Sequence, residues 1–217
     1  MTDDQLQLDV AAELFWDPKV CSAAIAVSAS GGTITLRGTV GSLREKREAK
    51  KAAERVYGVI GVHDELQVRI LDKDRREDTE LRGDILQALI LDGLIPTTVD
   101  ARVTGGFVTL TGTASWQYQR DEAKFIVANV PGVFAIEDRI KLITSPDGRD
   151  IGSDISGAFT RSARLDAKGL SISTSPGSVT LSGVVRSWAE HDEAIAAAWA
   201  APGVTEVHDH IKVEYLN

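Results

Sequence analysis

Three runs of this chain read alike: Gly32-Thr-Ile-Thr-Leu-Arg-Gly38, Gly106-Phe-Val-Thr-Leu-Thr-Gly112 and Gly177-Ser-Val-Thr-Leu-Ser-Gly183. Twenty residues beyond each closing glycine a second signature opens: Gly58-Val-Ile-Gly-Val62-His-Asp64-Glu-Leu66, Gly132-Val-Phe-Ala-Ile136-Glu-Asp138-Arg-Ile140 and Gly203-Val-Thr-Glu-Val207-His-Asp209-His-Ile211. Gly38 to Gly112 and Gly58 to Gly132 are both steps of 74 residues, and the next step is 71 for both markers. A third marker lies upstream: Asp9-Val10 with Leu14, Asp84-Ile85 with Leu89, and Asp154-Ile155 with Phe159, at offsets of 75 and 70. Independent markers that keep a common spacing mean one structural unit of roughly 70 residues, repeated.

Within each unit the upstream marker spaces apolar residues four apart: Leu6, Val10, Leu14; Leu81, Ile85, Leu89; Ile151, Ile155, Phe159. That is the buried stripe of a short amphipathic helix. Alternating runs follow, Ile25-Ala-Val27, Val99-Asp-Ala-Arg-Val103 and Leu170-Ser-Ile172, as in half-buried strands. Gly31-Gly32, Gly105-Gly106 and Pro176-Gly177 supply hairpin turns. Beyond them Ile34 and Leu36, Val108 and Leu110, or Val179 and Leu181 share one face of a second strand, expected to end at Gly38, Gly112 and Gly183. These glycines read as turn geometry, since they lack the spacing and strand-to-helix setting of a phosphate-binding loop.

A second helix follows, opened in the first and third units by Ser42-x-x-Glu45 and Ser187-x-x-Glu190, both of capping-box form. All three copies carry a Glu-Ala pair (Glu48-Ala49, Glu122-Ala123, Glu193-Ala194), and small residues such as Ala53 and Ala198 let the helix sit close to a sheet. Tyr57-Gly58, Pro131-Gly132 and Pro202-Gly203 stop it. A third strand closes each unit, with Val62, Leu66 and Val68 on one face in the first. The expected fold is α+β, three tandem αββαβ modules over 1–71, 79–143 and 150–217. The charged run Asp72–Asp78 and the turn-rich Ser145–Arg149 are expected as solvated linkers.

Composition limits the function classes. Apolar residues are 43% and charged residues 26% of the 217, the mix of a globular chain. A net charge of −8 argues against a general nucleic-acid binder, which presents a basic footprint. The single cysteine, Cys21, excludes an internal disulfide and a Cys-rich zinc site. No stretch approaches the ~18 apolar residues of a transmembrane helix. The acidic start Met1-Thr-Asp-Asp-Gln-Leu lacks the form of a signal peptide, so a cytoplasmic location is expected.

The order Gly-x-[Ile/Val]-Thr-Leu-x-Gly, mid-helix Glu-Ala, Gly-Val and [Val/Ile]-x-Asp-x-[Ile/Leu], present in three in-register copies, resembles the BON domain. The family is named for osmotically inducible and nodulation-associated bacterial proteins. The resemblance implies an αββαβ fold, no enzymatic activity, and roles in envelope maintenance, osmotic or other stress and anionic phospholipid binding. Relatives that join a BON module to a LysM module are associated with potassium.

No catalytic set emerges from the residues themselves. Four histidines, His63, His191, His208 and His210, fall in no hydrolase or metalloprotease pattern. His208 and His210 share a strand face, but the pair is absent from units one and two and has no further ligand at a telling distance, so no metal is expected. Asp64, Asp138 and Asp209 occupy one position and point inward with Val62 and Leu66, where a carboxylate needs a partner. Capping of backbone amides is the expected role. Glu48, Glu122 and Glu193 read as helix-surface or packing features rather than acid–base groups.

Two surface devices remain. In the second helix of unit one, Arg44, Arg47, Lys51 and Arg55 fall along one stripe opposite Ala49, Ala53 and Val56, facing solvent. Near an anionic membrane each is worth about 1 kcal/mol. Units two and three lack the stripe. Trp116 and Trp188 open the second helix of their units, where an exposed ring would enter a membrane interface or a partner's groove. The expected partner is anionic phospholipid or a protein. The alternative is a cytoplasmic potassium sensor, the ion caged by backbone carbonyls at turns around Gly58–Gly61, Gly132 or Gly203.

Overall fold

In each repeat a helix, a hairpin, a second helix and a final strand follow one another. The computed structural model describes residues 2–70, 75–143, 150–162, 165 and 167–215. Ser145–Arg149, and the linker run from Asp72 to Asp74, lie outside the described residues. The first repeat comprises α1 (Asp3–Trp16), β1 (Ile25–Ser30), β2 (Thr33–Val40), α2 (Leu43–Glu54) and β3 (Gly61–Val68). The second comprises α3 (Asp78–Leu91), β4 (Asp100–Thr104), β5 (Phe107–Ala114), α4 (Gln117–Ala128) and β6 (Ala135–Leu142). The third comprises α5 (Ile151–Arg161), β7 (Leu170–Ser175), β8 (Ser178–Val185), α6 (Trp188–Trp199) and β9 (Glu206–Val213). The chain divides into two compact units, residues 1–114 with 119–141, and residues 142–217 with 115–118.

The three sheets have the orders β1-β2-β3, β4-β5-β6 and β7-β8-β9. β1 and β2 are antiparallel, with Val27 opposite Leu36, because two glycines can turn the chain directly back. β2 and β3 are parallel, with Leu36 opposite Asp64, because α2 carries the chain back to the starting edge. β7, β8 and β9 repeat both pairings. One face of each sheet is buried by the two helices: Leu6, Val10 and Leu14 of α1 and Ala49, Ala52 and Ala53 of α2 close over Ile34, Leu36 and Val40. In the third repeat Ile155, Phe159, Ala194 and Ala198 close over Val179, Leu181 and Val185. The alanines matter because a helix without bulk on its inner face brings its backbone near the sheet.

The glycines expected to end the second strand lie inside it. Gly38, Gly112 and Gly183 have φ of 133°, 124° and 131°, and β2, β5 and β8 run two residues further, burying Val40, Ala114 and Val185. Strand patterning alone could not separate a terminating glycine from a glycine that lets another backbone approach. A Cβ on Gly38 would stand 2.0 Å from the carbonyl oxygen of Ala24.

The capping boxes form with a change of partner. The Glu45 amide donates to Ser42 Oγ (3.1 Å) and the Glu190 amide to Ser187 Oγ (3.2 Å). The glutamates reach past the cap residue to the amide before it, Gly41 (2.8 Å) and Arg186 (2.9 Å). Glu45 also accepts from the Cys21 amide at 2.8 Å, which ties the start of α2 to the segment entering β1.

A second clasp joins the first helix to the hairpin. Asp3 accepts from the amides of Gly31 (3.0 Å) and Gly32 (3.5 Å), and Asp78 from Gly105 (2.7 Å) and Gly106 (3.1 Å). The third repeat has Pro176 at the first of these turn positions and so lacks one donor.

Candidate functional site

α2 does not present its cations as one free stripe. Arg44 and Lys51 are exposed, Arg47 is half-buried, and Arg55 is held by α1. The Arg55 guanidinium lies 2.7 Å from Asp17 Oδ2 and 2.9 Å from Glu13 Oε1. Asp17, 6% exposed, also accepts from the Lys19 amide (3.0 Å). That amide and the guanidinium hold its carboxyl below the ordinary aspartate range, and the Asp17 carboxylate in turn raises Arg55. The Arg47 guanidinium stacks 4.7 Å above the Phe125 ring of α4, a cation–π contact. Glu48, at the expected packing position, is buried and takes Lys19 Nζ at 3.2 Å. Glu193 takes the Ser162 hydroxyl at 3.0 Å.

Trp116 and Trp188 are both half-buried. Trp188 packs against the core of the third repeat, and the His191 ring meets it edge-on at 4.9 Å. Among the described residues, the most exposed large apolar side chains lie instead at the C-terminal ends of α1 and α3: Phe15 (81%), Trp16 (82%), Ile90 (76%) and Leu91 (78%). Both pairs follow the last buried leucine of their helix, at the repeat offset of 75 residues. In the third repeat the same positions are Thr160 and Arg161. The signal in the sequence was a pair of large apolar residues placed off the four-residue stripe.

Each repeated aspartate meets a backbone amide and a basic side chain, and Asp138 meets Lys124 as well, at 3.6 Å. Asp64 Oδ1 accepts from the Leu66 amide (3.0 Å), Asp138 Oδ1 from Ile140 (3.0 Å) and Asp209 Oδ1 from Ile211 (2.9 Å). The capped amide therefore belongs to the aspartate's own strand rather than to a helix start. Each carboxylate also meets a nitrogen base from the second helix: Lys46 Nζ at 3.6 Å, Arg120 Nη2 at 3.0 Å and His191 Nε2 at 2.8 Å. Lys46, Arg120 and His191 stand at one repeat position, 74 and 71 residues apart. Sequence reasoning missed this because three residue types share no motif letter.

His208 and His210 are exposed on one face of β9, opposite Thr180 and Ser182 of β8. Among the described residues, no group of three His, Cys, Asp or Glu side chains is arranged to hold a metal ion. At the glycine turns, the carbonyls of Gly32, Gly106 and Gly177 accept from the amides of Ile60 (2.9 Å), Phe134 (2.8 Å) and Thr205 (2.8 Å). A cavity of about 700 Å³ is lined by charges of both signs, Arg69, Arg76, Glu77 and Glu80 among them. Arg76 is tied to Asp84 at 2.6 Å, so no set of like polar groups converges there. No helix among the described residues is long and apolar enough to cross a membrane.

Comparison with known proteins fits this geometry. The BON domain profile matches residues 2–70, 77–144 and 147–215. The chain is 33% identical over 146 residues to the osmotically-inducible protein Y of Escherichia coli, covering 65% of this chain and 73% of that protein. Solved structures with weak likeness include CdsD of the type III secretion system of Chlamydia trachomatis, at 13% identity and a TM-score of 0.28 over 98% of this chain and 94% of that one. The PrgH periplasmic domain is similar at 11% identity and a TM-score of 0.23, over 95% and 99%. Three profile matches across nearly the whole length, on three copies of one αββαβ unit, place the chain in the BON domain family.

Proposed function

We infer that this is a non-enzymatic binding protein of osmotic or envelope stress whose ligand is the surface of an anionic phospholipid bilayer. Kinship with an osmotically inducible protein and the BON repeats support the stress role. One observation carries the lipid reading: the Phe15–Trp16 and Ile90–Leu91 pairs, exposed at the same place in two repeats, where water gains nothing from them. Aromatic and large aliphatic side chains of this kind partition into the headgroup boundary. The Arg55–Asp17 pair ties the end of α2 to the end of α1, so exposed Lys51, one turn before Arg55, belongs to the same end of the first repeat as Trp16. Lys51 and Arg44 supply the attraction to anionic headgroups, which is weak and screened by salt.

The test is co-sedimentation with vesicles of phosphatidylglycerol or phosphatidylcholine at low and high salt. The native chain is expected in the pellet with phosphatidylglycerol at low salt, and largely in the supernatant with phosphatidylcholine. The F15S/W16S/I90S/L91S variant alters only exposed positions and should stay in the supernatant. A native chain that never pellets with phosphatidylglycerol overturns the lipid reading and leaves a protein partner for these pairs.

A further inference from the structure

We propose that the third module carries a pH-sensitive lock between its second helix and its last strand, His191 to Asp209, tight in acid and loosened as pH rises. The first two modules carry the same lock in a permanently closed form. One helix position and one strand position meet in all three modules, as Lys46 with Asp64, Arg120 with Asp138 and His191 with Asp209. Lysine and arginine stay charged through the physiological range, whereas histidine does not. The third module alone has exchanged a fixed cation for a titrating one.

Both ring nitrogens of His191 face carboxylates, an arrangement that favours the charged ring. Its Nε2 lies 2.8 Å from Asp209 Oδ2 on β9, and its Nδ1 lies 3.2 Å from Asp192 Oδ1 on its own helix. A carboxylate only accepts, so both contacts are hydrogen bonds only if both ring nitrogens carry a proton. The neutral ring has one N–H and so keeps at most one of the two bonds, without the charge that strengthens it. The His191 side chain is 12% exposed with the Trp188 ring against it, whereas Asp192 is 75% and Asp209 40% exposed, so water takes up part of the lost contact and the lock weakens rather than breaks.

The remaining neighbours do not offset this. Ser162, just beyond α5, is bound to Glu193, while Asp154 and Arg161 of α5 are solvent-exposed. β8 turns apolar Leu181 and Val185 toward the helices. On β9, Glu206, His208, His210 and Lys212 alternate onto the face opposite Asp209. Glu190 is occupied by the Arg186 amide. The hydrogen bonds that the ring donates to Asp192 and Asp209 outweigh burial and raise the His191 pKa above the ordinary histidine value.

The sign follows. A base whose folded pKa is raised adds stability that is fully present below its unfolded pKa and is lost as pH rises through the folded one. The lock therefore loosens from mildly acidic toward alkaline solution, and it loosens in one module. The pairs of the other two, Lys46–Asp64 and Arg120–Asp138, do not follow. The His191–Asp209 lock operates without a membrane.

The experiment is hydrogen exchange with mass-spectrometric detection on the full chain, corrected for intrinsic rates, from acidic to alkaline pH. Protection of β9 should fall across the titration of His191, by about tenfold for every unit separating the folded and unfolded midpoints, relative to β3 and β6. The H191R variant, which installs the residue of the second module, should abolish that fall. A flat β9 profile in the native chain, or an unchanged fall in H191R, overturns the proposal. An NMR titration of the native chain gives an independent check: a His191 midpoint no higher than that of a histidine in a short peptide also overturns it.

Discussion

Gly38→Ala tests the link between the repeat and its fold most directly. The backbone at Gly38 has φ of 133°, where residues with a side chain are strained, at a cost of about 1–3 kcal/mol. The added methyl would stand 2.0 Å from the Ala24 carbonyl oxygen and 3.1 Å from its carbon. Those are backbone atoms next to Ile25, which pairs with Gly38 in the β1–β2 ladder, so no rotamer change relieves the contact. Forced overpacking of this kind adds about 1–3 kcal/mol. The sum is about 2–6 kcal/mol, against a total stability on the order of 5–15 kcal/mol for a domain. Gly31→Ala is the control, because its φ is 55° and a Cβ there meets nothing within 4 Å. Left-handed strain alone costs about 1–2 kcal/mol. Hydrogen exchange along β2 in the full chain, with β5 and β8 as internal references, should show protection falling about thirty-fold or more for Gly38→Ala. Gly31→Ala should fall less, leaving β5 and β8 unchanged in both variants. If Gly38→Ala costs no more than Gly31→Ala, the close approach at this glycine is not what the repeat preserves.

Arg55→Ala leaves buried Asp17 with only the Lys19 amide, and since Arg55 is half-exposed the expected loss is about 1–2 kcal/mol in a denaturant melt of the first module. Because Asp17 is held below the ordinary aspartate range, the stability it contributes is present above its unfolded pKa and lost as pH falls through the folded one. Native and variant chains should therefore converge at strongly acidic pH, and a gap that persists there contradicts the assignment. Asp78→Ala removes acceptors from the Gly105 and Gly106 amides and a negative charge from the first turn of α3, with an expected loss of about 1–3 kcal/mol. Its readout is faster exchange at those two amides, and protection unchanged at both speaks against the clasp.

The order of elements was legible because each was written in local chemistry. Leu6, Val10 and Leu14 announce a helix through spacing alone, and Gly31-Gly32 announces a hairpin through what only glycine tolerates. The strand end at Gly38 was misplaced for the same reason: glycine at a turn and glycine under another backbone look identical in one dimension. Among the candidate site residues, spacing put Arg44, Arg47, Lys51 and Arg55 on one side of α2 but was silent on their partners. Arg55 meets Asp17 across 38 positions of chain, and Arg47 meets Phe125 of the next repeat.

Periodicity and turn residues act between neighbours in the chain, so three αββαβ copies could be read from letters alone. Whether a charge is free depends on what distant segments bring within a few ångströms, and only the folded chain decides that. His191 shows the difference most plainly. In the sequence it is one of four histidines in no pattern; in three dimensions it fills the place of Lys46 and Arg120, with a carboxylate beside each ring nitrogen.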